Sequence, residues 1–254
     1  EYAQKNSIES IDTAKVYGQS EESIGFFLKG SIRDWNITTK INHLDIALSS
    51  QIEDSKNKLT VKPNTLLAHS ANLFMDSNFQ SEIQSIKNNY SLSSIGVSIY
   101  NEEDIYTVLK AKIRPDVIQL PLNILDSSLY RKGLLKKLAN ENIEIQVRSV
   151  FLQGLFYLSD SALEESFKDV IPYLKKLKSI AADSSLTLSE LSLLWLVSLK
   201  EVNKVIIGVD NVNQLKIHLE TLKKNIDSSV FKEALSIHYE NQNILNPSLW
   251  LIKS

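Results

Sequence analysis

Short apolar segments alternate with longer amphipathic segments along this whole chain, and this alternation limits the possible folds more than any other sequence feature. Such alternation is typical of β-α-β units, in which consecutive strands are parallel. Residues 1–6 are typical of the last turns of a helix that leads into a strand. Strands are predicted at residues 8–12, 36–41, 65–69, 94–98, 117–120, 143–147 and 204–209. Helices are predicted at residues 21–29, 45–58, 78–88, 102–112, 129–139, 164–180, 188–201 and 212–223.

Alternation alone does not separate a (β/α)₈ TIM barrel with parallel strands from an open doubly wound sheet. The length of 254 residues matches the ~250 residues typical of the barrel, and no Gly-x-Gly-x-x-Gly sequence follows a predicted strand. We therefore expect one barrel domain over residues 1–254. The strand pattern supplies one strand fewer than a closed barrel requires. We expect the chain to be incomplete at its N-terminus, without the first barrel strand.

Composition narrows the classes of partner. The chain has 43% apolar residues, and its 28 Lys and Arg nearly balance 30 Asp and Glu, so no electrostatic footprint for nucleic acid or an anionic membrane is expected. With no Cys and only four His, no metal site is expected either. No apolar stretch approaches the ~18 residues of a membrane span. A small-molecule partner and, by default, a cytoplasmic location are predicted, while the sequence leaves the oligomeric state open.

Polar residues stand at the C-terminal ends of nearly all the predicted strands, where a (β/α)₈ barrel carries its active site. Each of them alone has an ordinary structural explanation, such as a helix cap or a solvated charge. Together they indicate a functional face, which a purely structural barrel does not require. These strand-end residues are Asp12, Lys40, His69, Ser98, Gln119, Arg148, Ser149 and Gly208.

Several segments occur in an order that identifies a family. DTAKVYGQSEESIG is followed by TTK, LLAH, IGVS, IQLP, RSVFLQGL and IIGVDNVNQL. In this order they resemble the aldo-keto reductase superfamily over nearly the whole chain, with the first segment the most specific. The resemblance implies a (β/α)₈ barrel that reduces an aldehyde or ketone with NADPH or NADH. It also implies a catalytic tetrad formed by Asp12, Tyr17, Lys40 and His69.

Carbonyl reduction explains the residue types of this tetrad. Hydride transfer to a carbonyl carbon produces an alkoxide that needs a proton, which Tyr17 would supply. A free tyrosine has a pKa of ~10, so a neighbouring cation such as Lys40 is needed to stabilise the phenolate. Asp12 would keep the lysine charged and oriented, and His69 would donate a hydrogen bond to the substrate oxygen.

The resemblance also assigns residues to the cofactor. It implies that Ser98 and Gln119 hold the nicotinamide carboxamide, although Ile99 replaces an Asn common in the family. Arg148 stands where many members have a tyrosine that stacks on the nicotinamide. The remaining assignments are Ser149, Phe151 and Gly154 along the pyrophosphate, and Gly208, Asp210 and Gln214 near the adenosine.

The adenosine end departs most from the family pattern. Gly208, Val209, Asp210, Asn211 and Gln214 include no Lys or Arg for a 2′-phosphate. Since Asp210 would repel that phosphate and could accept hydrogen bonds from a ribose diol, a weakened preference for NADP is predicted. Ile217 and His218 also replace an acid and an amide often found at the adenine.

Other interpretations of the same residues exist. Lys40 could form a Schiff base in an aldolase, but the carboxylate of Asp12 favours the charged ammonium. A non-catalytic nucleotide-binding regulatory or assembly subunit, or an inactive fragment, would share the same sequence pattern. Substrate choice is assigned to the loops at residues 70–77 and 156–160 and to the tail at 246–254, with Phe74 and Trp250 as candidate pocket walls.

Overall fold

A computed structural model describes residues 1–31, 34–164 and 166–250. The chain separates into two compact units. The first comprises Glu1–Leu120 and Leu138–Ile145, and the second comprises Pro121–Lys137 and Gln146–Ser254. The expected single domain over residues 1–254 stays a prediction.

Helices follow almost every strand. The α-helices are α1 (Tyr2–Lys5), α2 (Ser20–Leu28), α3 (Leu48–Leu59), α4 (Ala71–Met75), α5 (Ser77–Asn89), α6 (Glu102–Val108), α7 (Ser128–Arg131), α8 (Leu134–Asn140), α9 (Asp160–Glu164), α10 (Ile171–Asp183), α11 (Leu188–Ser198), α12 (Val212–Thr221), α13 (Ser228–Ala234) and α14 (Gln242–Leu245). Short 3₁₀ helices lie at Leu155–Tyr157, Lys168–Val170 and Pro247–Leu249.

The described strands have nearly the predicted positions. They are β1 (Ser10–Asp12), β2 (Asn36–Ile41), β3 (Thr65–Ala68), β4 (Ser94–Ser98), β5 (Val117–Pro121), β6 (Glu144–Arg148) and β7 (Lys204–Val205). In the first unit, β1 to β5 pair in parallel and in sequence order, which a doubly wound sheet, with its reversal of strand order, would not show. In the second unit, Gln146 and Val147 pair in parallel with β7.

Several predicted elements were wrong in extent. The strand predicted at residues 204–209 ends at Val205, and one further hydrogen bond runs from Ile206 N to Val147 O at 2.7 Å. Gly208 and Asp210 therefore lie in a loop. The helix predicted at 129–139 is divided into α7 and α8, because Gly133 between them has φ of +71°. The predicted helix at 164–180 is α10 with shorter helices before it, and Glu165 lies outside the described residues.

A small apolar cluster in the first unit holds β2 against α2 and α3. Leu28, Trp35, Ile37 and Leu59 are its buried members, and α2, β2 and α3 each supply at least one of them. The partly buried Phe27 meets the Trp35 ring edge-on at 5.7 Å. Burial of these side chains fixes the first βα unit through the hydrophobic effect.

Two glycines permit close backbone approach in the same unit. A Cβ on Gly25 of α2 would lie 1.9 Å from the carbonyl oxygen of Lys58 on α3, and one on Gly96 of β4 would lie 2.0 Å from that of Val117 on β5. Both positions exclude larger residues because the opposing atoms belong to the backbone. The spacing of the elements that carry the candidate site therefore depends on glycine.

The predicted start of α6 is confirmed. Asn101 caps the helix by accepting from Asp104 N, and Asp104 accepts from the Asn101 N–H in return. Three acidic residues occupy the first turn, where the helix dipole favours them. Local sequence therefore sets the point at which the chain turns after β4.

The lengths of the helices and the positions of the His, Asp and Glu side chains bear on membrane and metal binding. In the described ranges, no single helix is long and apolar enough to cross a membrane. The segments Lys168–Asp183 and Leu188–Ser198, which are bent by 78° relative to each other, have that length and apolar character only when they are combined. Within those ranges, no group of three His, Asp or Glu side chains could hold a metal ion.

Candidate active site

A buried ion pair joins the ends of β1 and β2. The Lys40 Nζ donates to Asp12 Oδ2 at 2.6 Å and to the Thr13 carbonyl oxygen at 2.9 Å. The Lys40 side chain is 1% exposed, so its charge is separated from water and depends on these acceptors. Parallel register produces this contact, because Asp12 lies opposite Thr38 and Lys40 follows two residues later on the same strand face.

Tyr17 lies beside this pair in the loop after β1. Its N–H donates to Ala14 O at 3.0 Å, and its carbonyl accepts from Ser20 N at 3.1 Å as α2 begins. The Lys40 Nζ lies 5.1 Å from the centre of the Tyr17 ring. The Tyr17 side chain is half-exposed, so a small molecule can reach it.

His69 completes the group at the end of β3. Its ring lies edge-on to that of Tyr17, with centroids 6.2 Å apart and planes at 74°. Its backbone N–H donates to Ile41 O at 2.8 Å, which continues the pairing of β2 with β3 for one more residue. The structure therefore brings together all four residues that the sequence predicted as a tetrad.

Gln119 adjoins the tetrad within the first unit, and Ser98 lies beside Gln119 on the neighbouring strand. The Gln119 Nε2 donates to Asp12 Oδ1 at 2.8 Å, so the two carboxylate oxygens of Asp12 serve Lys40 and Gln119 separately. Ser98 is the register partner of Gln119 across β4 and β5, and both side chains are buried. Two polar side chains capable of binding an amide thus lie on neighbouring strands, and one of them, Gln119, contacts Asp12.

The segment after β6, in the second unit, has an unusual backbone. Ser149, Leu152, Gln153 and Gly154 all have positive φ, at +62°, +47°, +50° and +86°. A non-glycine residue with positive φ has a strained backbone, which persists where surrounding contacts fix it. The buried Asn123 donates to Ser149 O at 3.1 Å, and the buried Ser192 donates to Val150 O at 2.9 Å. This turn is therefore held by hydrogen bonds to its carbonyl oxygens.

Phe151 in this turn stacks on His218 of α12. The ring centroids are 4.8 Å apart and the planes differ by 16°, while Tyr157 meets Phe151 at 5.6 Å from another direction. Burial lowers the pKa of His218 below its usual value, because desolvation disfavours the charged imidazolium. No role was predicted for His218 beyond a departure from the family pattern.

The predicted adenosine residues also contact each other. Gln214 Nε2 donates to Asp210 Oδ2 at 3.1 Å, and Gln214 Oε1 accepts from Asp210 N at 2.7 Å. The Asn211 side chain accepts from Gln214 N at 3.0 Å and caps α12. Gly208 has open space where a Cβ would lie, so glycine is not required there by a close approach.

Arg148 is the last residue of β6 and is also predicted to bind the cofactor. Its Nη1 donates to the neighbouring Ser149 Oγ at 3.2 Å. Since Ser149 O also accepts from Asn123, Ser149 is held through both its side chain and its carbonyl. Of the predicted cofactor residues in the second unit, Arg148 and Ser149 therefore contact each other directly, as do Asp210 and Gln214.

Phe74 and Trp250, the two candidate pocket walls, have different surroundings. Phe74 is fully buried and packs against Phe79 at 5.6 Å, which is core packing within α4 and α5. Trp250 packs against Phe167 at 4.7 Å, and its Nε1 donates to Ile244 O at 3.0 Å. Residues 251–254 of the tail predicted to select substrate lie outside the described residues.

Some contributors were missed by sequence reasoning. Thr13 supplies a carbonyl oxygen to Lys40 from within the DTAKVYG motif, where only side chains were considered. Asn123 and Ser192 hold the turn after β6 from distant positions, and nothing local in the sequence marks them. Backbone acceptors and remote supports are visible only once the chain is folded.

Comparison with protein families assigns the class. The model of the aldo/keto reductase family matches residues 1–238. The chain therefore belongs to the aldo/keto reductase family, as its motifs predicted. That membership confirms the expected enzyme class, an NAD(P)H-dependent oxidoreductase with a nicotinamide cofactor.

Solved structures agree with this assignment of fold. An aldo-keto reductase from Bacillus halodurans, solved in its holo form, is 18% identical with a TM-score of 0.80 over 94% of this chain and 87% of its own. The glycerol dehydrogenase of Gluconobacter oxydans is 17% identical, with a TM-score of 0.73 over 93% and 82%. An aldo/keto reductase from Klebsiella pneumoniae, solved with NADP and acetate, is 16% identical, with a TM-score of 0.72 over 92% and 81%. The (β/α)₈ fold class is thereby confirmed.

No curated protein matched the chain by sequence.

Proposed function

We propose that this protein reduces the carbonyl group of a small aldehyde or ketone, with Tyr17 as the general acid. The observation that carries the proposal is the buried Lys40 ammonium, which is ion-paired with Asp12 and lies 5.1 Å from the centre of the Tyr17 ring. A cation held at this distance stabilises negative charge on the phenol oxygen. The hydroxyl of Tyr17 therefore releases its proton more readily to a substrate alkoxide.

Asp12 keeps Lys40 in the form that this role needs. An ammonium that is 1% exposed would favour its neutral form without a partner, and the carboxylate at 2.6 Å opposes that tendency. The same ion pair argues against a Schiff-base aldolase, because a nucleophilic lysine must be uncharged. In the proposed reaction Lys40 acts through its charge.

His69 is proposed to orient the substrate. Its ring lies beside Tyr17, so a carbonyl oxygen that accepts from the Tyr17 hydroxyl would also be within reach of an imidazole N–H. Two donors on one oxygen fix the carbonyl for attack and stabilise the negative charge that develops there. Tyr17 then transfers the proton and His69 remains a hydrogen-bond donor.

The donors beside the tetrad suit a nicotinamide cofactor. A bound reduced nicotinamide supplies the hydride for the carbonyl carbon. Ser98 and Gln119 are proposed to hold its carboxamide, supported by their adjacent register positions and by the contact between Gln119 and Asp12. In the second unit, Arg148, Ser149, Phe151 and Gly154 are proposed for the pyrophosphate side, with Gly208, Asp210 and Gln214 for the adenosine side.

The NADP-bound relative from Klebsiella pneumoniae makes NADPH one candidate cofactor. The pairing of Asp210 with Gln214 favours NADH for this chain, because a carboxylate at that position opposes a 2′-phosphate and accepts from a ribose hydroxyl. We therefore propose turnover with NADH at least as efficient as with NADPH. The cytoplasmic location stays a prediction.

The test is oxidation of NADH and NADPH, followed by absorbance, with a panel of aldehydes and sugar-like ketones. We expect carbonyl-dependent oxidation with at least one member of the panel and no oxidation without substrate. Cofactor binding with no turnover across the panel would contradict the proposal and would favour a nucleotide-binding subunit. Cofactor binding is followed separately through the protein's three tryptophans.

A further inference from the structure

Lys15, in the loop that carries Tyr17, reaches across to α3 with its side chain. Its Nζ forms an ion pair with Asp54 and lies 3.3 Å from the Gln51 carbonyl oxygen and 3.5 Å from Ser55 Oγ. The Lys15 side chain is only 15% exposed, unlike a solvated surface lysine. Three acceptors on one face of α3 therefore bind a single ammonium from the loop.

The backbone of Lys15 is anchored as well. Its N–H donates to the carbonyl oxygen of Lys40 at 3.2 Å, directly at the residue that forms the ion pair with Asp12. Tyr17 follows two residues later, in a turn closed by the hydrogen bond from its own N–H to Ala14 O. Lys15 thus connects the turn that presents Tyr17 to both β2 and α3.

On α3, Asp54 forms ion pairs with both Lys15 and Lys58. The hydrogen bond from Lys15 is the main cause that holds the pKa of Asp54 below its usual value. Asp54 also contacts Lys58 at 3.4 Å, and Lys58 in turn contacts Glu22 of α2 at 3.3 Å. Lys58 also contacts Asp54, as Lys15 does, but Lys58 connects α3 to α2 and not to the loop that carries Tyr17. A variant of Lys58 is therefore a matched control for a variant of Lys15.

We propose that Lys15 is a positioning residue, which fixes the place of the Tyr17 hydroxyl through its attachment to α3. The proposal rests on the proposed role of Tyr17 as general acid. The Tyr17 side chain is 47% exposed, so packing restrains it only in part, and the position of its ring depends on the backbone turn. A displacement of about 1 Å at a reacting group is enough to cost up to ~10²-fold in rate.

The test compares Lys15→Met with Lys58→Met in the carbonyl-reduction assay. We expect Lys15→Met to lower kcat about tenfold while cofactor Kd stays within about twofold. The variant detaches the Tyr17 loop from α3 and leaves the proposed cofactor residues unchanged. Lys15→Arg, which restores a cation for Asp54, is expected to recover most of the loss. Lys58→Met is expected to keep kcat within about twofold of the unmodified protein.

Unchanged kcat in Lys15→Met, or an equal loss in Lys58→Met, would overturn the proposal. If Lys15→Met does not fold, Asp54→Asn replaces it, and a fall in kcat of about threefold supports the proposal while unchanged kcat overturns it. Tyr17→Phe in the same assay separates the two claims. Loss of turnover in Tyr17→Phe with full activity in Lys15→Met rejects only the positioning role, whereas full activity in Tyr17→Phe rejects the general acid itself.

Discussion

The ammonium of Lys40 lies 5.1 Å from the centre of the Tyr17 ring and is held there by its hydrogen bond to Asp12. This arrangement places a fixed positive charge beside the one tetrad member that can donate a proton from a hydroxyl. A charge held in a buried site acts more strongly than one in water, because less solvent screens it. The relation between these two side chains is the basis of the proposed chemistry.

Replacement of Lys40 by Met tests that charge. We expect kcat/KM for carbonyl reduction to fall by about 10² to 10⁴, the range that general acid catalysis contributes, because the phenolate of Tyr17 loses its stabilising cation. The pH at which activity declines should also change. Measurement of kcat/KM against pH checks this, and retention of the original profile by Lys40→Met would count against the role of Lys40.

Replacement of Gln119 by Ala tests the link between cofactor binding and the tetrad. Gln119 is proposed to bind the carboxamide and also donates to Asp12 at 2.8 Å, so the variant should affect both Kd and kcat. Loss of one hydrogen bond corresponds to about a tenfold increase in cofactor Kd. Fluorescence titration measures Kd, and Ser98→Ala is the comparison, with an effect expected on Kd alone. Unchanged Kd and kcat in Gln119→Ala would refute the link.

The proposed cofactor preference is attributed to the charge of Asp210. We expect kcat/KM with NADH to equal or exceed kcat/KM with NADPH. Asp210→Ala is expected to raise kcat/KM with NADPH about tenfold, because it removes the repulsion of the 2′-phosphate. The exposed Asp183→Ala serves as a control for a general change in net charge. A clear preference of the unmodified protein for NADPH would show that Asp210 does not select the cofactor.

The buried His218, stacked on Phe151, is expected to make the free energy of unfolding depend on pH. Because burial lowers its pKa in the folded protein, the unfolded chain binds more protons between that lowered pKa and about 6.5. The contribution of His218 to the free energy of unfolding therefore rises with pH across this window. We expect Tm to increase less from pH 5.5 to pH 7.5 in His218→Gln than in the unmodified protein. His238→Gln, at an exposed position, should leave the increase unchanged, and an equal increase in all three proteins would contradict the assignment.

Local sequence patterns predicted most of the first unit correctly, for identifiable reasons. The bounds of β2 and β4 were predicted at their observed residues, and both strands are short and almost fully buried. The closeness of Asp12, Lys40 and His69 follows from strands that pair in sequence order, which brings their C-terminal ends to one edge. Their roles as a tetrad, with Tyr17, were assigned through the family resemblance and stay a prediction.

The remaining features depend on packing between distant residues. The stacking of Phe151 on His218 and the support of Ser149 by Asn123 join segments that are far apart in sequence. The contact of Lys15 with Asp54 requires the placement of α3, which no local pattern specifies. β7 ends at Val205, although its sequence alone suits a longer strand.

The most direct test of the central claim is the Tyr17→Phe variant, with Tyr106→Phe, at an exposed tyrosine of α6, as its control. Cofactor Kd and the rate of carbonyl reduction are measured for both under the same conditions. We predict that Tyr17→Phe binds cofactor like the unmodified protein but loses at least about 10²-fold in kcat, the loss expected for a general acid. Turnover in Tyr17→Phe equal to that of Tyr106→Phe would contradict the account.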